Sequence, residues 1–225
     1  LFLKVVNLKK EDWNTLIILD ACRYDLFKEF GCPKLDGKLE ARWSTASCTP
    51  DWIETQIGSR RDDNSFKDVT YIAANPNFPM RYMVKKVEPV WNYGWDNEKL
   101  TVLPRIMFNA FLKLKFEKRI LLHFLQPHYP FLDGEELAIG VRDSWNDIEN
   151  EEDFIKTKNA YKLCLQSVMP CVKKIINLRR KFGRMIITAD HGESYEKPYA
   201  NHPCGSDKFG LRLVPWFVIE PNNVV

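Results

Sequence analysis

Three short apolar runs each give way to residues able to do chemistry. Leu16-Ile17-Ile18-Leu19 stops at Asp20, the run ending at Leu125 is followed by Gln126-Pro127-His128, and the run ending at Ala189 is followed by Asp190-His191-Gly192-Glu193. Asp190 and His191 set a carboxylate oxygen beside an imidazole nitrogen, and Asp20 can add a second carboxylate. Hard oxygen with imidazole suits Zn²⁺, Mn²⁺ or a similar divalent ion. Three such ligands with an open position make a Lewis acid that polarises a phosphoryl or sulfuryl oxygen and lowers the pKa of a bound hydroxyl. An Asp that follows a strand can also cap the next helix, and spacing leaves metal site and cap equally open for Asp20 and Asp190.

A second group is Ser44-Thr45-Ala46-Ser47-Cys48-Thr49-Pro50-Asp51-Trp52, hydroxyls and a thiol leading into a predicted helix. A helix N-terminus presents free N–H groups and positive potential, so a nucleophile there meets an anion already held by backbone donors. The competing reading is purely structural, with Thr49, Pro50 and Asp51 as N-cap and first-turn residues.

Elements that would position these groups follow from the hydrophobic pattern. Leu16–Leu19, Val69–Ala74, Arg119–Leu125, Arg184–Ala189 and Leu213–Ile219 read as strands, Pro215 marking the last as an edge strand or a strand start. Helices are expected over Asp51–Ile57, Leu103–Phe116 and Asp153–Phe182, the last ending at Gly183 and kinked or divided at Pro170. Strands alternating with amphipathic helices predict an α/β domain, a mainly parallel sheet with helices on both faces. Such sheets bind ligands beyond the carboxyl ends of their strands, where Asp20, His128 and Asp190 fall. One domain is expected over residues 1–225, with a surface excursion at 133–152 able to form a lid.

Apolar residues make up 45% and charged residues 28%, which excludes disordered and collagen-like chains. A net charge of +3 spread along the chain gives no nucleic-acid footprint. No apolar run approaches the roughly 20 residues that span a bilayer, so no membrane segment is expected in this chain. The sequence begins at Leu, which leaves a removed leader open. Six cysteines without a CxxC pair predict reduced thiols and a cytoplasmic protein.

Taken in order, Leu16-Ile17-Ile18-Leu19-Asp20-Ala21-Cys22-Arg23-Tyr24-Asp25, Cys48-Thr49-Pro50, Gln126-Pro127-His128-Tyr129-Pro130-Phe131 and Ile187-Thr188-Ala189-Asp190-His191-Gly192-Glu193 resemble the alkaline phosphatase superfamily. The resemblance is to its sulfatase-like branch, which includes sulfatases and the phosphoethanolamine and lipoteichoic-acid transferases. Thr-Ala-Asp-His-Gly-Glu after a strand is its most specific element. The resemblance implies an alkaline-phosphatase-like core and one divalent metal ion (Zn, Mn or Ca) held by Asp20, Asp190 and His191. The nucleophile would be a further ligand. His128 and His202 would line the leaving-group side or complete a second metal site, with Asp25 as a possible extra ligand. The family's nucleophile lies two residues before a proline, which selects Cys48. A sulfatase cysteine is modified within Cys-x-Pro-x-Arg, and here Trp52 stands at the Arg position, so Thr49 and Ser47 remain alternatives. Arg23, Lys208 and Arg212 are candidates to bind the remaining substrate oxygens. His123, among apolar neighbours, is expected to be a satisfied core histidine.

The expected function is a metal-dependent hydrolase or transferase acting on a phosphate or sulfate ester of a small molecule or glycan. The alternative is a non-catalytic sulfatase-like domain that binds an anionic glycan or a protein.

Overall fold

A computed structural model describes residues 3–33, 35–58, 63–133, 137–138, 150–194 and 202–222. Most of the excursion expected at 133–152 lies outside these residues. The strands are β1 (Lys4–Val5), β2 (Thr15–Leu19), β3 (Lys38–Trp43), β4 (Val69–Ala73), β5 (Lys86–Pro89), β6 (Trp95–Asp96), β7 (Thr101–Val102), β8 (Arg119–Phe124), β9 (Leu132–Asp133), β10 (Leu137–Ala138), β11 (Met185–Thr188) and β12 (Leu213–Ile219). Eight of them form one sheet in the order β1-β3-β12-β11-β2-β8-β4-β5, and two small pairs, β9–β10 and β6–β7, stand apart. Every strand of the large sheet except β12 runs the same way.

The uninterrupted apolar runs became the interior of this sheet. β2 and β4 are buried at every position, and β8 at all but its first. Strands covered on both faces lose the in-out alternation that marks a half-solvated sheet. Three strands went unread in the sequence. β3 mixes charged and apolar residues, while β1 and β5 are short and partly exposed at the sheet edges.

β12 corrects a second expectation, because Pro215 lies in a strand flanked on both sides, by β3 and β11, rather than at an edge. The ladder with β11 ends at the pair Thr188 and Trp216, so Pro215 lies one residue past it. Its missing N–H falls where β11 has already ended, and its carbonyl on that side accepts the Thr188 hydroxyl at 2.6 Å.

The helices are α1 (Tyr24–Leu26), α2 (Thr49–Gln56), α3 (Trp91–Gly94), α4 (Pro104–Leu114), α5 (Glu151–Arg179) and α6 (Phe209–Arg212). Pro170 does not divide α5, which runs unbroken for 29 residues. The Asn150 side chain caps its start by accepting from the Asp153 N–H, three acidic residues follow in the first turn, and Gly183 at φ 141° ends the segment.

Helices cover both faces of the sheet. Thr15 of β2 is paired with Ile120 and Ile18 with His123, so Thr15 and His123 point to opposite faces. Arg179 of α5 bonds the Thr15 hydroxyl, whereas Trp52 of α2 packs against the His123 ring.

Arg179 is fully buried, yet its guanidinium is saturated by backbone carbonyls of Asn14, Lys115, Glu117 and Lys118 and by Thr15. It joins the end of α5 to the turns that launch β2 and β8. Arg179→Met is expected to lower stability by about 3 kcal/mol or more, because several buried carbonyls lose their donor together. A urea denaturation midpoint within about 1 kcal/mol of the parent would refute that role.

Candidate metal and ester site

β2, β11 and β8 lie in a row, and the first two end in Asp20 and Asp190. After Asp20 the chain turns sharply through Ala21, whose φ of 57° is a left-handed conformation that a non-glycine residue holds only when its surroundings fix it. The turn aims the Ala21 N–H at Asp190 Oδ1, 3.1 Å away, and the His191 N–H bonds the same oxygen at 2.9 Å. Asp190 Oδ2 is left for the site, where it accepts the Thr49 hydroxyl at 2.7 Å. The Ser44 hydroxyl donates to the Asp190 carbonyl, so the segment leading into α2 is fastened to the end of β11.

The tautomer of His191 follows from its neighbours. Nδ1 lies 2.8 Å from the Gly192 carbonyl, which can only accept, so Nδ1 carries the proton and Nε2 offers a lone pair. That nitrogen is 3.6 Å from Asp20 Oδ1, 3.4 Å from Asp190 Oδ2 and 3.4 Å from Thr49 Oγ1. Asp20 Oδ2 accepts from Asn75 Nδ2 at 2.5 Å, while Asp20 Oδ1, buried among these acceptors, has no hydrogen-bond partner. Asp20, Asp190 and His191 are all fully buried.

Burial works against ionisation of both carboxyls. On Asp20 it prevails, reinforced by the charge of Asp190, and the pKa rises well above the usual range. On Asp190 burial is outweighed by the facing imidazoles of His191 and His123 and by the Thr49 hydroxyl, which hold that carboxyl ionised. Burial also keeps the His191 imidazole neutral, against the pull of Asp190.

The donor set fits a divalent cation. Asp20 Oδ1, Asp190 Oδ2 and the His191 Nε2 lone pair converge with the Thr49 hydroxyl. One shared proton could relieve one pair of acceptors; a cation relieves all of them at once. Neither Asp20 nor Asp190 caps a helix, which removes the structural alternative drawn from their spacing.

Several expectations need correction. Cys48 forms a disulfide with Cys204, so its sulfur is bonded and cannot act as the nucleophile. Reduced thiols are found only at Cys22, Cys32, Cys164 and Cys171. Cys48, not Thr49, is the N-cap of α2, and the Thr49 side chain bonds Asp190 instead of the helix backbone. His123 is buried but not satisfied. Its Nδ1 meets the Tyr71 hydroxyl at 2.7 Å, while Nε2 has no partner and points at Asp190 Oδ2 and Asp20 Oδ2, 3.6 and 3.8 Å away. Asp20, His123 and Asp190 thus form a second triad of donors sharing the same carboxylates. Nothing in the sequence distinguished His123 from its apolar neighbours, but Asn75 did carry a signal, since it follows β4 much as Asp20 follows β2.

His128 and His202 are brought together, their Nε2 atoms 3.2 Å apart. His128 Nδ1 donates to the Tyr129 carbonyl, and His202 Nδ1 donates to the Glu193 carboxylate at 3.1 Å. The His202 ring also stacks on His191, with centroids 4.6 Å apart. Burial would lower the pKa of His202, but the Glu193 hydrogen bond and charge outweigh it and raise it; burial and the neighbouring His202 pull His128 down to about 4. A proton between the two Nε2 atoms is better held by His202, which the Glu193 carboxylate faces, than by the buried His128.

These histidines, Thr49, Asn75 and Asn77 line a pocket of about 680 Å³, with Leu125, Tyr129 and the disulfide on its walls. Arg23 and Lys208 do not line it. Arg23 bonds Asp25 through two nitrogens and the Glu193 carbonyl through a third, so Asp25 is an ion-pair partner rather than a ligand. Lys208 stands at the start of α6, and Arg212 bonds Ser44 and Asp207. Ser47 bonds the Pro203 carbonyl.

No family model matches the sequence, and no curated protein matches it. Solved structures do. The C-terminal periplasmic domain of EptC from Escherichia coli, in complex with Zn, superposes with a TM-score of 0.61 at 14% identity, over 96% of this chain and 75% of that one. The lipoteichoic acid synthase LtaP from Listeria monocytogenes gives 0.58 at 11% identity, over 94% and 66%. The 2-O GAG sulfatase BT1596 gives 0.54 at 12%, over 92% and 64%. The chain has the fold of these transferase, synthase and sulfatase domains, a sulfatase-like fold. In this fold the sheet carries Asp20, Asp190 and His191 to one end. The cytoplasmic expectation is overturned, because the EptC domains from Escherichia coli and Campylobacter jejuni to which the chain is similar are periplasmic. The Cys48–Cys204 bridge agrees with an oxidising compartment. Among the described residues no helix is long and apolar enough to cross a membrane.

Proposed function

We propose that the chain holds one divalent metal ion and transfers or hydrolyses a singly charged phosphate ester, with Thr49 as nucleophile. The observation that carries this reading is the convergence of Asp20 Oδ1, Asp190 Oδ2, His191 Nε2 and Thr49 Oγ1, with Asp20 Oδ1 otherwise unpartnered. A similar fold was solved in complex with Zn. Bound there, such an ion polarises a phosphoryl oxygen and favours ionisation of a neighbouring hydroxyl.

The chain's own groups do the rest. The Thr49 hydroxyl donates to Asp190 Oδ2, which takes its proton as the Thr49 oxygen attacks phosphorus in line. The first N–H groups of α2 face the phosphoryl oxygens. As the bond from Thr49 Oγ to phosphorus forms and the bond to the leaving oxygen breaks, His202 gives its proton to that oxygen. His202, now neutral, takes a proton from water or an acceptor hydroxyl, whose oxygen attacks phosphorus and displaces Thr49 while Asp190 returns the first proton to the Thr49 oxygen.

Among the described residues no Lys or Arg lines the pocket, whose polar groups are carboxamides, imidazoles and hydroxyls. Two carboxylates lie beneath it. A dianionic monoester would find no Lys or Arg in the lining to balance its second charge, whereas a phosphodiester carries a single charge. The disulfide also removes Cys48 from the modification that a sulfatase cysteine requires, which favours a phosphate over a sulfate ester. The Thr49–Asp190 bond supports the catalytic reading over the non-catalytic alternative.

The test is elemental analysis after reconstitution with Zn²⁺, Mn²⁺ or Ca²⁺, followed by turnover of bis(4-nitrophenyl) phosphate, 4-nitrophenyl phosphate and 4-nitrophenyl sulfate. About one ion per chain and fastest turnover of the diester are expected. Absence of any specific ion would overturn the metal reading, and preference for the monoester would overturn the single-charge reading.

A further inference from the structure

We infer that the Cys48–Cys204 disulfide, with the Ser47 hydroxyl beside it, is a positioning element that holds His202 over the pocket, and that a dithiol which opens it switches the site off. The inference rests on the roles proposed above for Thr49 and His202. Cys48 immediately precedes Thr49, and Cys204 lies two residues after His202, so one covalent bond ties the proposed nucleophile's helix to the proposed acid's loop. Ser47 repeats the tie without a covalent bond. Its hydroxyl donates to the Pro203 carbonyl at 2.7 Å and accepts the Ser206 N–H at 3.0 Å. Both fasteners bracket a loop whose catalytic atom needs accurate placement, since His202 must face His128 and the leaving oxygen at once.

No metal-ligand candidate depends on the bridge. Asp20, Asp190 and His191 are held by the strand ends, and Thr49 by its bond to Asp190. Cys48 is buried but Cys204 is exposed at the pocket wall, so a thiolate can reach a sulfur of the bridge from solvent. A small dithiol attacks that sulfur and passes through a mixed disulfide. It ends as its own cyclic disulfide, having delivered two electrons and two protons as Cys48 and Cys204 become thiols. The loop then keeps its hydrogen bonds, from Ser47, Glu193, His128 and Arg212, but loses its one covalent tie to α2.

The experiment compares the parent with the Cys48→Ser/Cys204→Ser double variant, both zinc-loaded, and with parent that has been reduced by dithiothreitol, freed of it and reloaded. Zinc affinity is read by chelator competition, loop order by amide hydrogen exchange, and chemistry by kcat and KM on bis(4-nitrophenyl) phosphate. Zinc affinity should stay within about threefold while exchange over residues 202–212 rises by about tenfold or more and that over 185–194 does not. The kcat should fall about 100-fold with KM little changed, as for loss of a placed acid. Reoxidation of the reduced parent should restore both. Unchanged exchange over 202–212 together with parental kcat would overturn the inference. If the parent turns over no ester, the functional reading fails by itself, and the exchange comparison alone then decides whether the bridge positions the loop.

Discussion

Thr49→Ala will leave the fold and most of the metal affinity in place while lowering phosphodiester turnover by about 10⁴-fold or more, the scale on which loss of an attacking hydroxyl is felt. The hydroxyl is nearly buried, bonds only acceptors, and heads α2 without capping it, so its removal takes away no helix cap. Stability should therefore shift by less than about 1 kcal/mol. Thr49→Ser keeps the oxygen and should keep measurable turnover. Stopping the parent reaction in acid should trap a phosphorylated peptide containing residue 49, absent from the Ala variant. Turnover of Thr49→Ala within tenfold of the parent would remove Thr49 as nucleophile, and with Cys48 bridged it would leave Ser47 as the hydroxyl to examine.

The second large effect concerns Asp20, where metal binding and apo-protein stability should move in opposite directions. Asp20→Asn is expected to weaken zinc binding by more than about 100-fold, since even outer-shell partners are worth about 10- to 100-fold. In the absence of metal the same substitution should stabilise the protein by on the order of 1 kcal/mol, because a buried carboxyl oxygen without a partner is a cost that the amide need not bear. The new Nδ2 can donate toward the His191 lone pair 3.6 Å away, and the amide oxygen can keep the bond from Asn75. Thermal melts in chelator and zinc titrations would read the two effects separately. Lower apo stability combined with retained zinc would refute the site.

What the sequence disclosed of this site was set by how local each signal is. The end of a buried parallel strand is a local event, an apolar run stopping at a polar residue, so Asp20, Asp190 and His191 were legible along with the five strands that carry most of the core. β3 was not, because KLEARW owes its strand state to pairing with β12 rather than to its own pattern. His123 looked like a core residue because it is one by burial; only its placement beside two carboxylates from other strands gives it another meaning. The nucleophile register stayed open between Cys48, Thr49 and Ser47 for a similar reason. Cys48 and Thr49 are neighbours in sequence, and what separates them is a partner 156 residues away, and a pairing of that span cannot be deduced from spacing.

The place of β12 governs the order in which this molecule can be made. Without it the large sheet falls into two blocks, β1-β3 and β11-β2-β8-β4-β5, that share no ladder. The first block leads directly into Thr49, and the second carries Asp20, Asp190 and His191. A nascent chain that has emerged only as far as residue 212 therefore holds Thr49 and the proposed metal ligands on separate blocks, with β3 and β11 each presenting an unpaired edge to the surroundings. Joining strands this distant in sequence is slow, and open edges are where unfinished chains associate wrongly. The two blocks are joined into one sheet only when Leu213–Ile219 pairs with both, so the proposed site is assembled with the seam and not before it.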